Sequence, residues 1–330
     1  MLAHTPKGLY CSIGDFYIDP SRGVERAVVT HAHSDHARRG SQLYYCTQSG
    51  ADLLRARLGT RISVASYAYR ETFYIGPVKV SFHPAGHILG SSQVRLEYAG
   101  EVWVVSGDYK REFDPTCEAF EVVPCDVFVT EATFGTPSYA WNKNSHVGKD
   151  IFDWWSENAG RGINSLLLAY SLGKTQRILG LLEPWANRPI YCHPAAKEIN
   201  QCYQSQGVKL APIQCLQTLN ESSILSGDLV IAPPSFLKTE SMKILGENYK
   251  TAFASGWMAR STYGYDRGFL ISDHADWNDL LQTILESQAQ RVYVQHRGAG
   301  ALVRKLRELG LKAFPEEDLV AKNPNQLSLF

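Results

Sequence analysis

Four potential metal ligands stand within six residues of the sequence, in the segment THAHSDH. They are His31, His33, Asp35 and His36. The apolar run ERAVVT before them predicts a buried strand over 25–30, so the four belong to the loop at its carboxyl end. Imidazole and carboxylate groups that meet in one loop suit zinc, manganese or iron. The alternative, a polar loop with solvated histidines, is the weaker interpretation because the chain has only ten histidines.

Three further residues repeat this design, in which an apolar run is followed by a metal-suited side chain with glycine nearby. His87 lies in PAGHILGSS, Asp108 in VVSGDY and His296 in VYVQHRG. Glycine permits close approach of the backbone at such turns. Each of these residues alone would more often be structural. Together with the first group, they predict a metal site assembled at the ends of several strands.

The order of these motifs resembles the β-CASP nucleases of the metallo-β-lactamase superfamily, which include the Artemis-like DNA repair nucleases, the RNA 3′-end cleavage endonucleases and RNase J. Four more segments match in the same order: FYIDP with Asp19, TEATFG with Glu131, ISDHADW with His274 and VYVQH with His296. The stretches LAYSLGKTQRILGLL and SGWM resemble parts of the inserted CASP cap. The resemblance covers nearly the whole chain, and it is nearest to the bacterial DNA-ligase-associated exonucleases.

The resemblance implies an α/β fold, in which a four-layer αββα metallo-β-lactamase fold carries an inserted α/β cap. Polar residues and turn formers in WNKNSHVGK and GWMARSTYGYDRG indicate where the inserted part begins and ends. The expected divisions are 1–145 for the first part of the metallo-β-lactamase domain, 146–262 for the β-CASP cap, 263–322 for the return of the first domain and 323–330 for a C-terminal tail.

Local patterns predict strands in the first third of the chain and strand–helix alternation after it. FYIGPVKVSFH predicts one strand over 73–83, and QVRLEYAGEVWVVSGDY predicts two strands around a turn at Ala99–Gly100. From INSLLLAYSLGKTQRILGLLE onward, strand patterns alternate with helical ones, with a turn at Gly173 before the first of these helices. Such alternation favours parallel pairing of the strands.

By resemblance, the site binds two divalent metal ions, zinc or manganese. The implied ligands are His31, His33 and His87 for the first ion, and Asp35, His36 and His296 for the second, with Asp108 bridging the two. Asp19 is expected to lie behind the ligands and to order their loop. Water bound to such a metal can reach a pKa of about 7, so the resemblance implies attack on phosphorus by a metal-bound hydroxide.

The leaving oxygen also needs a proton, and His274 is the implied general acid. A nearby carboxylate favours the protonated imidazole, and Glu131 is the expected partner. Two structural alternatives remain open at this point. His274 could pair with Asp276 at the start of a helix, and Glu131 could cap the turn after its strand.

Residues of the cap stretches are expected to contact substrate phosphate. Lys174 stands at a predicted helix start, where its charge and the helix N-terminus together suit an anion. Ser171 would add a hydroxyl group, and Ser255 and Gly256 would line the same end of the cleft. The alternative is that Lys174 is a solvated lysine and Trp257 a buried tryptophan.

These features predict a phosphodiesterase that degrades single-stranded DNA from the 5′ end in DNA repair. His296 follows the pattern of the RNA-cleaving branch of the family, so RNA processing of the RNase J type is the alternative. An inactive scaffold subunit would usually have lost ligands that this chain retains. A small-molecule hydrolase such as a lactonase would leave the later motifs and the cap unexplained.

Composition limits the remaining possibilities. The 330-residue chain balances 33 basic against 33 acidic residues, which favours a local nucleic-acid site over a long basic groove. Its seven cysteines include no CxxC pair, which predicts reduced thiols. The sequence contains no run of 18 apolar residues and no signal-peptide pattern, so we expect a cytoplasmic protein with no membrane partner.

The final residues, QLSLF, resemble the pentapeptide with which bacterial polymerases and repair proteins bind the DNA sliding clamp. Gln326 offers an amide, and Leu327, Leu329 and Phe330 offer apolar surface after a polar, proline-containing tether. The expected partners are therefore single-stranded DNA, the sliding clamp through Gln326–Phe330, and the DNA ligase and helicase of the same pathway. The alternative is that these side chains fold back onto the nuclease.

Overall fold

The computed structural model describes residues 1–142, 146–219, 224–262, 264–295 and 299–319. His296 and the C-terminal tail lie outside the described residues. The chain is a mixed α/β protein that separates into two compact units. Unit 1 contains Met1–Arg111, Glu118–Ala140 and the chain from His274 onward, and unit 2 contains Glu112–Cys117 and Trp141–Asp273.

The first sheet of unit 1 has six strands arranged in chain order, antiparallel at its start and parallel from the third strand onward. The strands are β1 (Leu2–Thr5), β2 (Gly8–Cys11), β3 (Phe16–Ile18), β4 (Arg26–Val28), β5 (Leu43–Thr47) and β6 (Val64–Tyr67). Helix α1 (Gln48–Leu58) follows β5, and Thr47 caps it by accepting the Gly50 N–H at 3.0 Å. Leu54 of this helix packs against Tyr44 of the sheet.

The second sheet of unit 1 has seven strands in the order β19-β18-β11-β10-β9-β8-β7. They are β7 (Thr72–Ile75), β8 (Val78–Pro84), β9 (Ser92–Tyr98), β10 (Glu101–Val105), β11 (Val127–Thr130), β18 (Arg291–Val294) and β19 (Lys312–Pro315). The predicted turn at Ala99–Gly100 is confirmed, and both residues have positive φ, as a tight hairpin requires. The prediction of one strand over 73–83 is wrong, because Gly76 turns the chain into a hairpin between β7 and β8.

Side-chain alternation along the central strands buries both faces of the second sheet. Trp103 and Val105 of β10 belong to a core shared with strands of the first sheet, such as β3 with Phe16. Val104, between them, points to the opposite face and packs with Leu280 and other residues of α5 (Trp277–Glu286) and α6 (Ala299–Glu308). This period of two is what a strand between two apolar layers requires.

Unit 2 is built on a third sheet, whose strands are all parallel and lie in the order β14-β13-β15-β12-β16-β17. They are β12 (Asn164–Leu168), β13 (Ile190–Cys192), β14 (Ile213–Cys215), β15 (Leu229–Ala232), β16 (Tyr249–Ala254) and β17 (Arg267–Phe269). Helices α2 (Val147–Ala159), α3 (Lys174–Leu182) and α4 (Lys197–Ser205) alternate with the early strands. The predicted parallel pairing is therefore confirmed.

The borders of unit 2 differ from those expected from polar stretches of sequence. Unit 2 extends to Asp273, past the expected border at 262/263, because β17 pairs with β16 in the third sheet. It also includes the short segment Glu112–Cys117, which the sequence did not set apart from the first domain. Assignment of the two units to named domains stays a proposal.

The helices of the protein are short. Helix α2, with 13 residues, is the longest in the described part of the chain. None of the helices described there has the length and apolar character that crossing a bilayer would need.

All seven cysteines lie in the described residues and carry thiols, as the scattered spacing predicted. Burial raises the pKa of Cys46, Cys125 and Cys192 to about 12 in each case. Thiols with so high a pKa are poor nucleophiles and poor metal ligands at neutral pH.

Candidate metal centre

The residues of the candidate site follow the carboxyl ends of strands in unit 1. Strands β3 and β4 are parallel neighbours, so Asp19 after β3 and His31 after β4 leave the first sheet at the same edge. In the second sheet, β8 and β10 run in one direction because both are antiparallel to β9, and β11 is parallel to β10. His87, Asp108 and Glu131 therefore follow strand ends at one edge of that sheet.

Two glycines allow the loops at these strand ends to approach each other closely. Gly107 has a φ of 55°, and a Cβ there would lie 2.7 Å from the Cβ of Thr30. Gly86 has a φ of 72°, and a Cβ there would lie 2.3 Å from the carbonyl oxygen of Lys110. Any other residue would meet both a strained backbone and a clash at either position. The close approach expected from these glycines is therefore confirmed.

Three imidazoles and one carboxylate converge in unit 1. The His33 Nδ1 lies 3.1 Å from the His31 Nε2 and 3.0 Å from the His87 Nε2. The Asp108 Oδ2 lies 3.6 Å from the His31 Nε2 and 3.8 Å from the His87 Nε2. All four ligand atoms lie within 4.8 Å of one another. We call these four residues the histidine cluster.

The donor set and spacing of the histidine cluster fit a metal ion. In a tetrahedral zinc site with bonds of about 2.0–2.1 Å, neighbouring ligand atoms stand about 3.3–3.4 Å apart. The separations in the histidine cluster, 3.0–3.8 Å, lie on both sides of that value. Three nitrogen donors with one carboxylate are also a set that zinc and manganese accept. The residues present therefore fit the implied metal.

A layer of hydrogen bonds behind the cluster orients its loop, as expected for Asp19. The Asp19 carboxylate accepts the Thr30 N–H at 2.8 Å and the Thr30 hydroxyl at 2.5 Å. It also lies 2.7 Å from the His36 Nδ1, which leaves the His36 Nε2 for another partner. Asp19 itself has a φ of 45°, an uncommon conformation for a residue other than glycine. A carboxylate behind a ligand histidine is the usual way to fix the tautomer of such a ring.

The surroundings of His31 and His36 shift the pKa values of these two buried imidazoles in opposite directions. Burial, with smaller contributions from neighbouring imidazoles, lowers the pKa of His31 well below its ordinary value. Burial also disfavours the charged form of His36, but the carboxylates of Asp108 and Asp19 outweigh it and hold that pKa well above its ordinary value. His31 is therefore neutral and ready to bind a cation, whereas a metal at His36 would have to displace a proton.

His36, one of the residues expected to hold a second ion, lies near Asp108, and Asp35 lies near His36. The His36 Nε2 lies 3.4 Å from the Asp108 Oδ2 and 3.8 Å from the Asp35 Oδ2. The Asp35 side chain is 69% exposed, so its carboxylate has room to rotate toward a bound ion. His296, the third expected ligand, lies outside the described residues.

The expected contact between Glu131 and His274 is confirmed. The His274 Nδ1 lies 2.9 Å from the Glu131 Oε2, and the Tyr109 N–H donates to the Glu131 Oε1 at 2.7 Å. Glu131 is fully buried, whereas the His274 side chain is 23% exposed. With Nδ1 donating to the carboxylate, Nε2 is the ring nitrogen left to carry a transferable proton. The alternative partner of His274, Asp276, instead caps α5 by accepting the Asp279 N–H at 2.8 Å.

Asp108, Glu131 and His274 form a second group whose ligand atoms lie close enough for a metal ion. Both Glu131 oxygens, however, already accept hydrogen bonds from the Tyr109 N–H and the His274 ring. This arrangement favours a carboxylate that orients an imidazole over one that coordinates an ion.

The four residues expected to contact phosphate lie in unit 2, and Lys174 differs most from its expected role. Lys174 is 3% exposed, and its Nζ lies 2.8 Å from both the Ile271 carbonyl oxygen and the Asp273 Oδ2. An ammonium group engaged in this way does not face substrate, so the expected phosphate contact is corrected to a buried ion pair. The prediction failed because a lysine at a helix start looks the same in sequence whether it is solvated or buried.

The structure does not contradict the expected phosphate role of the other three residues, Ser171, Ser255 and Gly256, as it does that of Lys174. Ser255 is buried, and its hydroxyl accepts the Trp257 N–H at 3.3 Å at the start of a short 3-10 helix. Gly256 is also buried, whereas Ser171 is half-buried. Trp257 is 40% exposed, so the alternative of a buried tryptophan is wrong. The phosphate role of these residues remains a proposal.

Sequence reasoning missed three residues that hold the site together. Thr30 links Asp19 to the His31 ring, with its hydroxyl 3.1 Å from the His31 Nδ1. Tyr109 positions Glu131 through its backbone N–H. The Ser91 hydroxyl accepts the His87 N–H at 3.1 Å. Thr30 and Tyr109 stand directly beside predicted site residues, which is the one signal that could have found them.

No protein-family model matches the chain. The chain is 30% identical over 313 residues to a protein named probable DNA ligase from Opitutus terrae, a match that covers 93% of this chain and 30% of that protein. It is 32% identical over 122 residues to endoribonuclease YSH1 from Kluyveromyces lactis, a match that covers 36% of this chain and 16% of that protein. The chain thus spans about a third or less of the length of these relatives.

A solved structure extends the similarity to the fold. The chain aligns with the crystal structure of a protein of unknown function from Enterococcus faecalis V583, with a TM-score of 0.57 and 11% sequence identity. The alignment covers 82% of this chain and 74% of that chain. At this identity the similarity concerns the fold alone.

Proposed function

We propose that this chain is a β-CASP nuclease of the metallo-β-lactamase superfamily, a divalent-metal-dependent phosphodiesterase that degrades single-stranded DNA from the 5′ end. The observation that carries the proposal is the convergence of the histidine cluster with the Glu131–His274 pair around Asp108. Asp108 Oδ2 lies within 4 Å of ring nitrogens of both groups, at 3.6 Å from His31 and 3.9 Å from His274. Ligands for an electrophilic ion and a group able to move a proton are thus adjacent.

Zinc or manganese ions at this site would supply Lewis acidity toward the phosphodiester and lower the pKa of water. In the proposal, His31, His33 and His87 would hold one ion, Asp35, His36 and His296 would hold the second, and Asp108 would contribute to both. Asp19 fixes the His36 ring behind them through its 2.7 Å contact. Burial keeps His31 neutral and its nitrogen available.

His274 is the proposed general acid. Its Nδ1 donates to Glu131, which orients the ring, and its Nε2 would carry the proton to the leaving oxygen. Glu131 is itself fixed by the Tyr109 N–H, so the pair has one preferred geometry. A carboxylate beside an imidazole stabilises the protonated ring that this step starts from.

The fold supports the proposed family. We propose that unit 1 has the four-layer αββα arrangement of a metallo-β-lactamase domain and that unit 2 is the inserted β-CASP cap. Support comes from the shared core of the two sheets, from α1 on the outer face of the first sheet and from α5 and α6 on the outer face of the second. The all-parallel third sheet and its helices belong to a separate compact unit, as an insertion would.

A role in DNA repair is part of the proposal, with action in the cytoplasm beside a DNA ligase and a helicase. The match to 30% of a protein named probable DNA ligase supports DNA as the substrate and ligation as the neighbouring reaction. Binding of the sliding clamp by Gln326–Phe330 belongs to the same proposal, although this segment lies outside the described residues.

RNA processing of the RNase J type is the second candidate function. The match to a protein named endoribonuclease favours it, although that match covers 36% of this chain. The two candidates share the metal site and differ in the sugar that the substrate carries.

One experiment tests both candidates. Single strands of one sequence, as DNA and as RNA, are labelled at the 5′ or the 3′ end and digested with zinc or manganese, with Asp108→Asn as the inactive control. We expect mononucleotides from the 5′ end of DNA and no product in the presence of a chelator. Digestion of RNA alone would favour the second candidate, and release from the 3′ end alone would reverse the proposed polarity. If the metal-loaded protein cleaves neither strand, the nuclease proposal is overturned.

A further inference from the structure

The backbone that leads into His274 is buried outside any strand. Strand β17 ends at Phe269, and Ile271, Ser272 and Asp273 follow with exposures of 1%, 4% and 5%. Buried carbonyl groups need hydrogen-bond donors, and a chain that has left its sheet cannot obtain them from neighbouring strands. Side chains are one source of such donors.

Lys174 supplies the first donor. It is the first residue of α3, and its Nζ donates to the Ile271 carbonyl oxygen at 2.8 Å. The same Nζ lies 2.8 Å from the Asp273 Oδ2. One ammonium group thus holds two points of the segment, two residues apart.

Arg177, one turn further along α3, supplies the second donor. Its Nη1 donates to the Ser272 carbonyl oxygen at 2.5 Å and lies 3.8 Å from the Asp273 Oδ1. Its Nη2 lies 2.8 Å from the Glu112 Oε2, and its Nε lies 3.7 Å from the Asp114 Oδ2. Burial disfavours the charged guanidinium, but these carboxylates outweigh it and raise the pKa of Arg177. The group therefore stays charged inside unit 2.

The chain on the other side of His274 is fixed within unit 1. The Ala275 N–H donates to the Tyr109 carbonyl oxygen at 2.7 Å, and the Asp276 side chain caps α5. Tyr109 is also the residue whose N–H positions Glu131. Along the sequence, His274 therefore follows residues held by α3 and precedes a residue held by Tyr109.

We propose that Lys174 and Arg177 are positioning residues that fix the backbone before His274 and so set the placement of its imidazole against Glu131. The proposal rests on the proposed function, because it is the proton transfer by His274 that needs this placement. Lys174 and Arg177 act through the peptide chain and are not catalytic residues.

Stability alone is a weaker account of these ion pairs. Apolar residues of similar volume often replace a buried ion pair with no loss of stability, so such pairs are poor evidence for a purely stabilising role. Catalysis, in contrast, is sensitive to placement, and a shift of about 1 Å in a reacting group can lower a rate about 100-fold. The two cations also contact three consecutive residues directly before His274, through the carbonyl oxygens of Ile271 and Ser272 and the carboxylate of Asp273.

The test compares Lys174→Met with a matched control in the same unit. Asn164 is 1% exposed and donates to the carbonyl oxygens of Leu225 and Leu245 at 2.7 and 2.9 Å, so Asn164→Ala also removes a buried side chain that holds backbone. On whichever labelled strand the wild type cleaves, we expect Lys174→Met to lower kcat about 10- to 100-fold with KM changed less than about threefold. Asn164→Ala should leave kcat within about threefold, and the metal content of both variants should equal that of the wild type.

Two further variants and a second measurement complete the test. Lys174→Arg should recover much of kcat, and Asp273→Asn, which keeps the side-chain shape, should lower kcat if Lys174→Met does not fold. Hydrogen exchange of the peptide spanning 270–276 should be faster in Lys174→Met and Asp273→Asn than in the wild type and Asn164→Ala. Equal kcat in Lys174→Met and Asn164→Ala, or unchanged exchange in this peptide, overturns the positioning role. An inactive wild type overturns the proposed nuclease instead, and the exchange measurement still decides whether Lys174 holds the segment.

Discussion

Two buried polar groups, one in each unit, contain similar carboxylates in opposite circumstances. In unit 1, the Asp108 Oδ2 of the histidine cluster faces ring nitrogens of that cluster, of His36 and of His274 at distances from 3.4 to 3.9 Å. In unit 2, Asp114 and Asp273 face Lys174 and Arg177, and we call these four residues the ion-pair cluster.

The difference lies in where the positive charge comes from. The ion-pair cluster obtains its cations from the chain itself, so its charges are matched as the protein folds. The histidine cluster instead offers imidazole nitrogens such as that of His31, which burial keeps neutral, at separations that suit an added ion. Whether a buried carboxylate indicates a metal site or a structural ion pair therefore depends on whether its partners are neutral ligands or cations.

The largest effect on hydrolysis is expected from substitutions of residues in the histidine cluster itself. Asp108→Asn removes the charge that the proposed ions share, and His33→Ala removes a ligand nitrogen. Loss of several kcal/mol of electrostatic stabilisation corresponds to a rate reduction of about 1,000-fold or more. Both variants should lose metal and hydrolysis yet keep the circular dichroism spectrum of the wild type. Full activity in either variant would contradict the two-metal proposal.

His274→Ala should distinguish a general acid from a metal ligand. This variant should retain its metal and lose about 100- to 10,000-fold in turnover, since the side chain would act on the leaving group. Metal analysis and kinetics on one preparation make the distinction. Loss of a metal equivalent would instead assign His274 to the ligand set, with Asp108 and Glu131 as its companions.

Asp114→Asn provides the same chemical change in the ion-pair cluster. Asp114 accepts the Thr116 N–H at 2.9 Å and the Thr116 hydroxyl at 2.6 Å, and its other oxygen faces Arg177. Breaking a buried pair lowers the free energy of unfolding by about 3–5 kcal/mol, and we expect the lower value because Arg177 keeps Glu112 and Asp273. Denaturant unfolding should show this loss, whereas metal content should not change. If Asp108→Asn destabilises the metal-free protein as much as Asp114→Asn does, the contrast between the clusters fails.

Asp19→Asn should weaken the histidine cluster without abolishing it. The amide can still accept the Thr30 N–H but no longer fixes the His36 ring through a charged contact. Residues behind metal ligands typically contribute about 10- to 100-fold in metal affinity or activity. Titration with zinc or manganese should reveal this loss, and excess metal should restore most of the turnover. Unchanged affinity would mean that Thr30 alone orders the loop.

The smallest effect on hydrolysis is expected from deletion of Gln326–Phe330. The truncated protein should hydrolyse free oligonucleotide as the wild type does, because no proposed ligand is removed. Its binding to a bacterial sliding clamp should disappear. If the intact protein does not bind the clamp, the clamp proposal ends, and a lower melting temperature with no clamp effect would favour tail residues that fold back onto the protein.

The sequence predicted the histidine cluster better than the surroundings that hold it. Spacing and residue type were sufficient for His31, His33, His87 and Asp108, because each comes shortly after an apolar strand that the sequence pattern predicts. The Glu131–His274 contact was also predictable, but only from the resemblance, since the two residues are 143 positions apart along the chain. Hydrogen bonds through Thr30 or the Tyr109 backbone leave no comparable pattern in a single sequence.

Burial was the property that local sequence could not supply. Lys174 follows Gly173 at the start of α3, and the same letters would describe a solvated lysine that binds phosphate. Its actual partner, Asp273, lies almost 100 residues away, and no helical or strand period connects such positions. Local sequence also failed to show the turn at Gly76, because the apolar pattern of FYIGPVKVSFH continues across it.

The short segment Glu112–Cys117 makes unit 2 discontinuous along the chain. A fragment from Trp141 to Asp273 would leave behind Glu112 and Asp114, two of the carboxylates that face Arg177. It would also leave behind Thr116, whose side chain lies against Gly180 of α3 so closely that no Cβ would fit there. In chimaeras between relatives, the segments 112–117 and 141–273 should therefore be exchanged together. If the longer segment alone were transplanted, Arg177 would be buried in the recipient protein without the carboxylates of Glu112 and Asp114.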